Sequence, residues 1–141
     1  MKKYLLLLSV FIFSMINGCT ASKTAVTKDL YATWELEYIS GPRIAFEGLF
    51  PDNKPQITFV ENGKTINGTT GCNGYGTTFT INGNAIEIAQ PGAMTMRYCE
   101  GGGEQVFLKT MEKINKFTID SDHKLNLMMD DVPMMRFKKI K

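Results

Sequence analysis

The chain has 141 residues, 43% of them hydrophobic, with 16 basic and 14 acidic side chains and a formal net charge of +2. That length suits one domain with a core of its own. A near-neutral chain has no electrostatic basis for binding nucleic acid, and one histidine with three cysteines leaves little material for a zinc site.

The chain opens MKKYLLLLSVFIFSMINGC: Lys2 and Lys3 make a positive start, Leu5 to Ile16 is mostly apolar, and Gly18 precedes Cys19. This is the pattern of a secretory signal peptide. At 1.5 Å per residue the apolar run spans about 18 Å of helix, short of the roughly 30 Å hydrocarbon core that a permanent anchor must cross. Ile16 to Cys19 resembles a bacterial lipobox, in which the cysteine is acylated and becomes the mature N-terminus; the alternative is a secreted protein cut near Ala21. The expectation is a lipoprotein signal peptide over residues 1–18 and lipid attachment at Cys19, whose two or three acyl chains hold the protein to a membrane. Thr20 in place of aspartate favours the outer membrane by resemblance to bacterial sorting rules. Lys2 and Lys3 leave with the leader, so the mature chain is neutral. Residues 19–30, small and polar without periodicity, read as a tether, and residues 31–141 as the domain.

From there the pattern is mostly of period two. Trp34, Leu36 and Tyr38 alternate with Glu35 and Glu37, which predicts a strand with its apolar face inward. Ile57 and Phe59 repeat the pattern, followed by a turn at Glu61 to Gly63 and a strand around Ile66. Tyr75, Thr77, Phe79 and Ile81 lead into the Asn82 to Asn84 turn, then Ile86 and Ile88. Asn-Gly between alternating runs is a strong hairpin signal. In GGGEQVFLKTMEKINKF the period changes: Phe107, Met111 and Ile114 fall on one face of a helix of about three turns, with Lys109, Glu112 and Lys113 on others. Gly101 to Gly103 lack the Lys and Ser/Thr of a phosphate loop and read as a flexible lead into that helix. Phe117 with Ile119, Leu125 with Leu127, and Met135 with Phe137 predict three further strands, separated by DSDH and MDDVP turns. Arg136, Lys138, Lys139 and Lys141 read as cations of a solvated edge strand. The fold class is mainly β with one helix: a small antiparallel barrel capped by an amphipathic helix.

The stretch GTTGCNGYG places Cys72 among glycines. With Cys19 acylated, Cys72 and Cys99 remain as an even pair in an oxidising compartment, which favours a disulfide over buried free thiols. Closing a loop of that length contributes about 3.5 kcal/mol through chain entropy. The single His123, in a turn beside Asp120 and Asp122, offers neither a metal set nor a base for a cysteine nucleophile. No catalytic, cofactor-binding or metal-ligating residues are expected.

Gly68, Thr69, Thr70, Gly71, Cys72 and Asn73, followed by Tyr75 and Phe79, resemble the GCN signature of the META domain, found in HslJ-like bacterial envelope lipoproteins. Thr95 to Cys99 is similar to its T-x-x-x-C element, Glu104, Phe107, Met111, Ile114, Phe117 and Ile119 follow its helix and next strand, and Trp34 with Leu36 its opening W-x-L. Thr77 stands where glycine is usual, and Arg97-Tyr98 replaces Met-Ala. The resemblance implies a lipocalin-like barrel in the cell envelope, without enzymatic activity and loosely linked to envelope stress and antibiotic tolerance. It leads to a non-enzymatic envelope lipoprotein, a monomer, whose barrel surface or mouth binds an envelope protein, peptidoglycan or a small apolar ligand. Asn73, Tyr75 and Arg97 are the candidate binding face, with Trp34 a further position more at home in the core. The alternative is Cu(I) handling by the thioethers of Met94, Met96, Met128, Met129, Met134 and Met135, set against methionine as core filler. Convergence of the sulfurs at one exposed point separates the two.

Overall fold

The computed structural model describes residues 28–141. The leader, Cys19 and most of the expected tether lie outside the described residues.

The alternating segments form nine strands: β1 (Thr33–Ile39), β2 (Gln56–Val60), β3 (Thr65–Thr69), β4 (Gly74–Asn82), β5 (Ala85–Ile88), β6 (Ala93–Met94), β7 (Lys116–Ile119), β8 (Lys124–Met129) and β9 (Val132–Lys139). A short helix α1 (Phe46–Leu49) links β1 to β2, and a 3-10 turn (Glu100–Gly102) leads into α2 (Gly103–Met111) before β7. The sheet runs β3-β2-β1-β9-β8-β7-β5-β4, and β4 pairs back onto β3, closing an eight-stranded antiparallel barrel. β6 stands outside this cycle, paired to β4 alone. The barrel is thinnest where β5 meets β7 at Ala85–Lys116, and there Leu108 and Met111 of α2 come up beside Ile88.

The inward positions are those that period two predicts. Trp34, Leu36, Ile57, Ile66, Phe117, Leu125, Leu127, Met135 and Phe137 are buried, and Phe107 and Met111 bring the apolar face of α2 onto them. α2 ends at Met111, shorter than its apolar spacing suggests, and Ile114 is buried from the turn that follows.

Four expectations are corrected. Tyr38 is 53% exposed while Ile39 is buried, because the register of β1 on β9 shifts between Leu36 and Tyr38 and inverts the faces beyond it. Leu30, assigned to the tether, is fully buried, and its carbonyl accepts the Trp34 indole N–H at 2.9 Å, so the folded unit begins before residue 31. β9 is an interior strand between β1 and β8, and Lys138 meets Glu35 at 3.0 Å rather than guarding an edge. Gly101 and Gly103 serve close approach, since a Cβ would lie 2.7 Å from the Gly48 carbonyl oxygen on the first and 2.2 Å from that of Leu49 on the second, while Gly102 holds a left-handed φ of +71°.

Candidate functional site: a loop pinned by Asn73 and a disulfide

The β3–β4 turn is built from Thr70 to Asn73. The Thr70 N–H donates to the Asn73 carbonyl at 2.8 Å, and the Asn73 N–H returns to the Thr70 hydroxyl at 3.0 Å. Gly71 holds φ +91° here, where a Cβ would also meet the Asn53 carbonyl oxygen at 2.6 Å, so only glycine fits. The turn aims two side chains at the segment after β6. Cys72 and Cys99 lie with their Sγ atoms 2.06 Å apart and Cα atoms 5.9 Å apart, a disulfide.

Asn73 is 1% exposed, and its carboxamide does most of the fastening. Its Oδ1 accepts from the Arg97 N–H at 2.8 Å and from the Thr95 hydroxyl at 2.9 Å, and its Nδ2 donates to the Arg97 carbonyl at 3.0 Å. Nδ2 also lies 3.3 Å from Glu104 Oε1, while the Thr70 hydroxyl donates to Glu104 Oε2 at 2.6 Å. Glu104 therefore ties the turn to the first turn of α2, where a carboxylate also suits the helix dipole. Arg97 Nη2 donates to the Cys72 carbonyl at 2.6 Å. Thr70 and Asn73 are buried, so their polar groups need these partners, and the bonds tie the turn, the exposed loop and the helix together as one unit.

Thr95, Arg97 and Cys99 thus point or bind inward, and the residues between them point out: Met96 is 97% exposed and Tyr98 89%. Beside the disulfide a cleft of about 410 Å³ is bordered by Asp52, Asn53, Arg97, Tyr98, Glu100 and Glu104.

The sequence of this chain matches the META domain family over residues 28–141. The chain belongs to the META domain family. An NMR structure of a protein from Burkholderia xenovorans shares the fold, with a TM-score of 0.64 at 16% identity over 84% of this chain and 88% of that one. No curated protein sequence matches at a significant level.

In this META domain the three residues expected to form a binding face part company. Arg97 sits in the exposed loop, but Asn73 is buried because its carboxamide replaces water for the Arg97 backbone, and Tyr75 points into the barrel. The Tyr75 ring lies against Phe107 with centroids 5.9 Å apart, its hydroxyl finds no partner among the described residues, and burial pushes its pKa well up. Trp34 is core, 1% exposed. Thr77, where the family has glycine, donates its hydroxyl to the Ala89 carbonyl at 2.6 Å. The methionines disperse. Met135 is core, Met128 accepts from the Thr118 hydroxyl at 3.7 Å, and β8 with β9 lies across the barrel order from β6, which carries Met94. His123 occupies an exposed turn at φ 56°. Sequence reasoning missed Met96 and Tyr98 as a pair; their signal was the alternation with Thr95, Arg97 and Cys99 across the T-x-x-x-C element.

Proposed function

We propose that the protein is a non-catalytic binding module of the bacterial cell envelope, lipid-anchored at Cys19 in the outer membrane, which meets a partner through the loop of residues 95–99. Its service is in envelope stress or antibiotic tolerance. The observation that carries the reading is that Met96 and Tyr98, two large apolar-bodied side chains, stand almost fully exposed on a backbone held by Asn73 and the disulfide. Exposed Met, Tyr and Arg on a preorganised backbone are the residue types that dominate binding energy at interfaces, because little entropy is lost when they are covered. Membership of the META domain family and the lipobox-like leader support the envelope setting.

The test is a photoreactive amino acid placed at position 98 or, as a control, at the exposed Tyr38, in cells making the full chain with Cys19 intact or replaced by serine. Position 98 is expected to give a discrete crosslinked species that needs Cys19, with Cys19→Ser also shifting the protein out of the membrane fraction. Equal crosslinking from Tyr38, or membrane retention without Cys19, contradicts the reading.

A further inference from the structure

β6 is the last strand in the sheet order, bonded on one side to β4. Beyond Met94 the chain continues without a turn to Cys99, whose backbone is extended at φ −122° and ψ 118°. Along this run the Thr95 N–H donates to the Gly74 carbonyl at 3.0 Å, and Asn73 takes both backbone groups of Arg97, the N–H on Oδ1 at 2.8 Å and the C=O from Nδ2 at 3.0 Å. A carboxamide carries the donor and acceptor of a peptide group, so the Asn73 side chain stands in for one residue of a neighbouring strand.

Successive residues of an extended chain turn their N–H and C=O groups to opposite sides. With Thr95 and Arg97 committed toward β4, the N–H groups of Met96 and Tyr98 have no partner among the described residues, and the Tyr98 carbonyl turns to Cys72 Sγ at 3.6 Å, so the two N–H groups and the Met96 carbonyl stand on the free side. The result is a short strand edge, fixed in place and open. It also lacks the usual protection, since Ala93 to Tyr98 contains no lysine or proline, and the Arg97 guanidinium is turned back to the Cys72 carbonyl.

We infer that residues 95–98 are a docking edge that takes an extended, basic segment of a second polypeptide as an added strand. The inference rests on the binding reading above and names the class of partner. Two N–H donors at two-residue spacing with the Met96 carbonyl between them match another extended backbone, as in other strand-addition complexes. The charge follows from the adjoining cleft, where Asp52, Glu100 and Glu104 outnumber Arg97 and none of the four makes an ion pair among the described residues.

The test uses the mature chain with Cys19→Ser for solubility, its disulfide intact, followed by amide exchange in NMR. In the free protein Met96 and Tyr98 should exchange as solvent-exposed amides while Thr95 and Arg97 are slowed. A capped peptide of alternating valine and threonine between terminal lysines should then slow Met96 and Tyr98 by about tenfold or more. Glutamates in place of the lysines should weaken binding by about tenfold at low salt. Met96→Pro should abolish the effect and Met96→Ala preserve it. Protected Met96 and Tyr98 amides in the free monomer would overturn the inference. So would equal binding of the peptide N-methylated at alternate residues, or protection that rises with protein concentration alone and so marks a second copy as the occupant. If crosslinking at position 98 persists in Met96→Pro, the binding reading stands and strand addition falls.

Discussion

Two surfaces of this barrel use polar chemistry in opposite ways. On the outer face of β8, β9 and β1, charges answer one another: Lys124 meets Glu37 at 2.8 Å, Lys138 meets Glu35 at 3.0 Å, and Arg136 meets Asp120 at 3.2 Å. The charges of that face are matched to one another, across β9 for Lys124 and Glu37 and onto the β7–β8 turn for Arg136 and Asp120. At the disulfide end the polar groups of Asn73 and Thr70 are buried and, with the half-buried Glu104 and the exposed Thr95, are spent on holding the turn and the loop. What remains outside is Met96, Tyr98 and the exposed carboxylates of Asp52 and Glu100 at the cleft. Half-exposed ion pairs contribute little stability each, whereas a buried network is costly to break. One face presents matched charge to water, and the other spends its polar groups inside and leaves Met96 and Tyr98 exposed.

The comparison is broken most forcefully at the disulfide. Cys72→Ser or Cys99→Ser should each cost up to about 3.5 kcal/mol, and the double variant little more than either, since all three remove one bond. At about 4 °C per kcal/mol for a domain of this size, the thermal midpoint should fall by roughly 10–15 °C. Free labelling of both thiols in the oxidised native protein would contradict the bridge.

Asn73→Ala should come next. It removes the partner of the Arg97 N–H and C=O in a part-buried loop that water can reach, with a cost of roughly 1–2 kcal/mol by chemical denaturation. A loss no greater than that of a surface substitution would mean that the carboxamide bonds are not formed.

The charged face should respond least, and through pH. The hydrogen bond from Lys138 holds the Glu35 carboxyl below its ordinary range, and the backbone N–H of Lys124 does the same for Asp120. A depressed folded-state pKa adds stability that is present above the unfolded value of about 4 and lost as pH falls through the folded one. Thermal melts of the wild type and Glu35→Gln should differ by only about 1–2 °C near pH 7 and converge below the ordinary carboxylate range, because the pairs are solvent-screened. A gap that persists in acid would assign the difference to packing instead of charge.

Much of the barrel was legible because period two survives in a one-sided sheet, and Trp34, Leu36, Ile57, Phe117 and Leu125 fell where alternation puts them. Tyr38 did not, since the slip beside it is imposed by β9, nearly a hundred residues away in sequence. The Cys72 and Cys99 pairing was readable from parity. The work of Asn73 was not, because its partner Arg97 is 24 residues distant and nothing local marks a carboxamide as a surrogate strand. Gly103 was likewise silent, its reason being the Leu49 carbonyl pressed against it. Of the binding face expected at Asn73, Tyr75 and Arg97, only Arg97 is exposed, and the face proposed above centres on Met96 and Tyr98, since polarity alone cannot tell a side chain that meets a partner from one that holds the backbone.

The central claim is that residues 95–99 are held as firmly as the barrel while their alternate side chains stand in solvent. Backbone order parameters of the oxidised protein test it most directly. The account predicts values for Thr95 to Cys99 near the roughly 0.85 of rigid backbone, equal to those of β4 and β9, with a fall toward about 0.6 in Asn73→Ala. Values below about 0.6 in the unmodified, disulfide-bonded protein would show a mobile loop and contradict it.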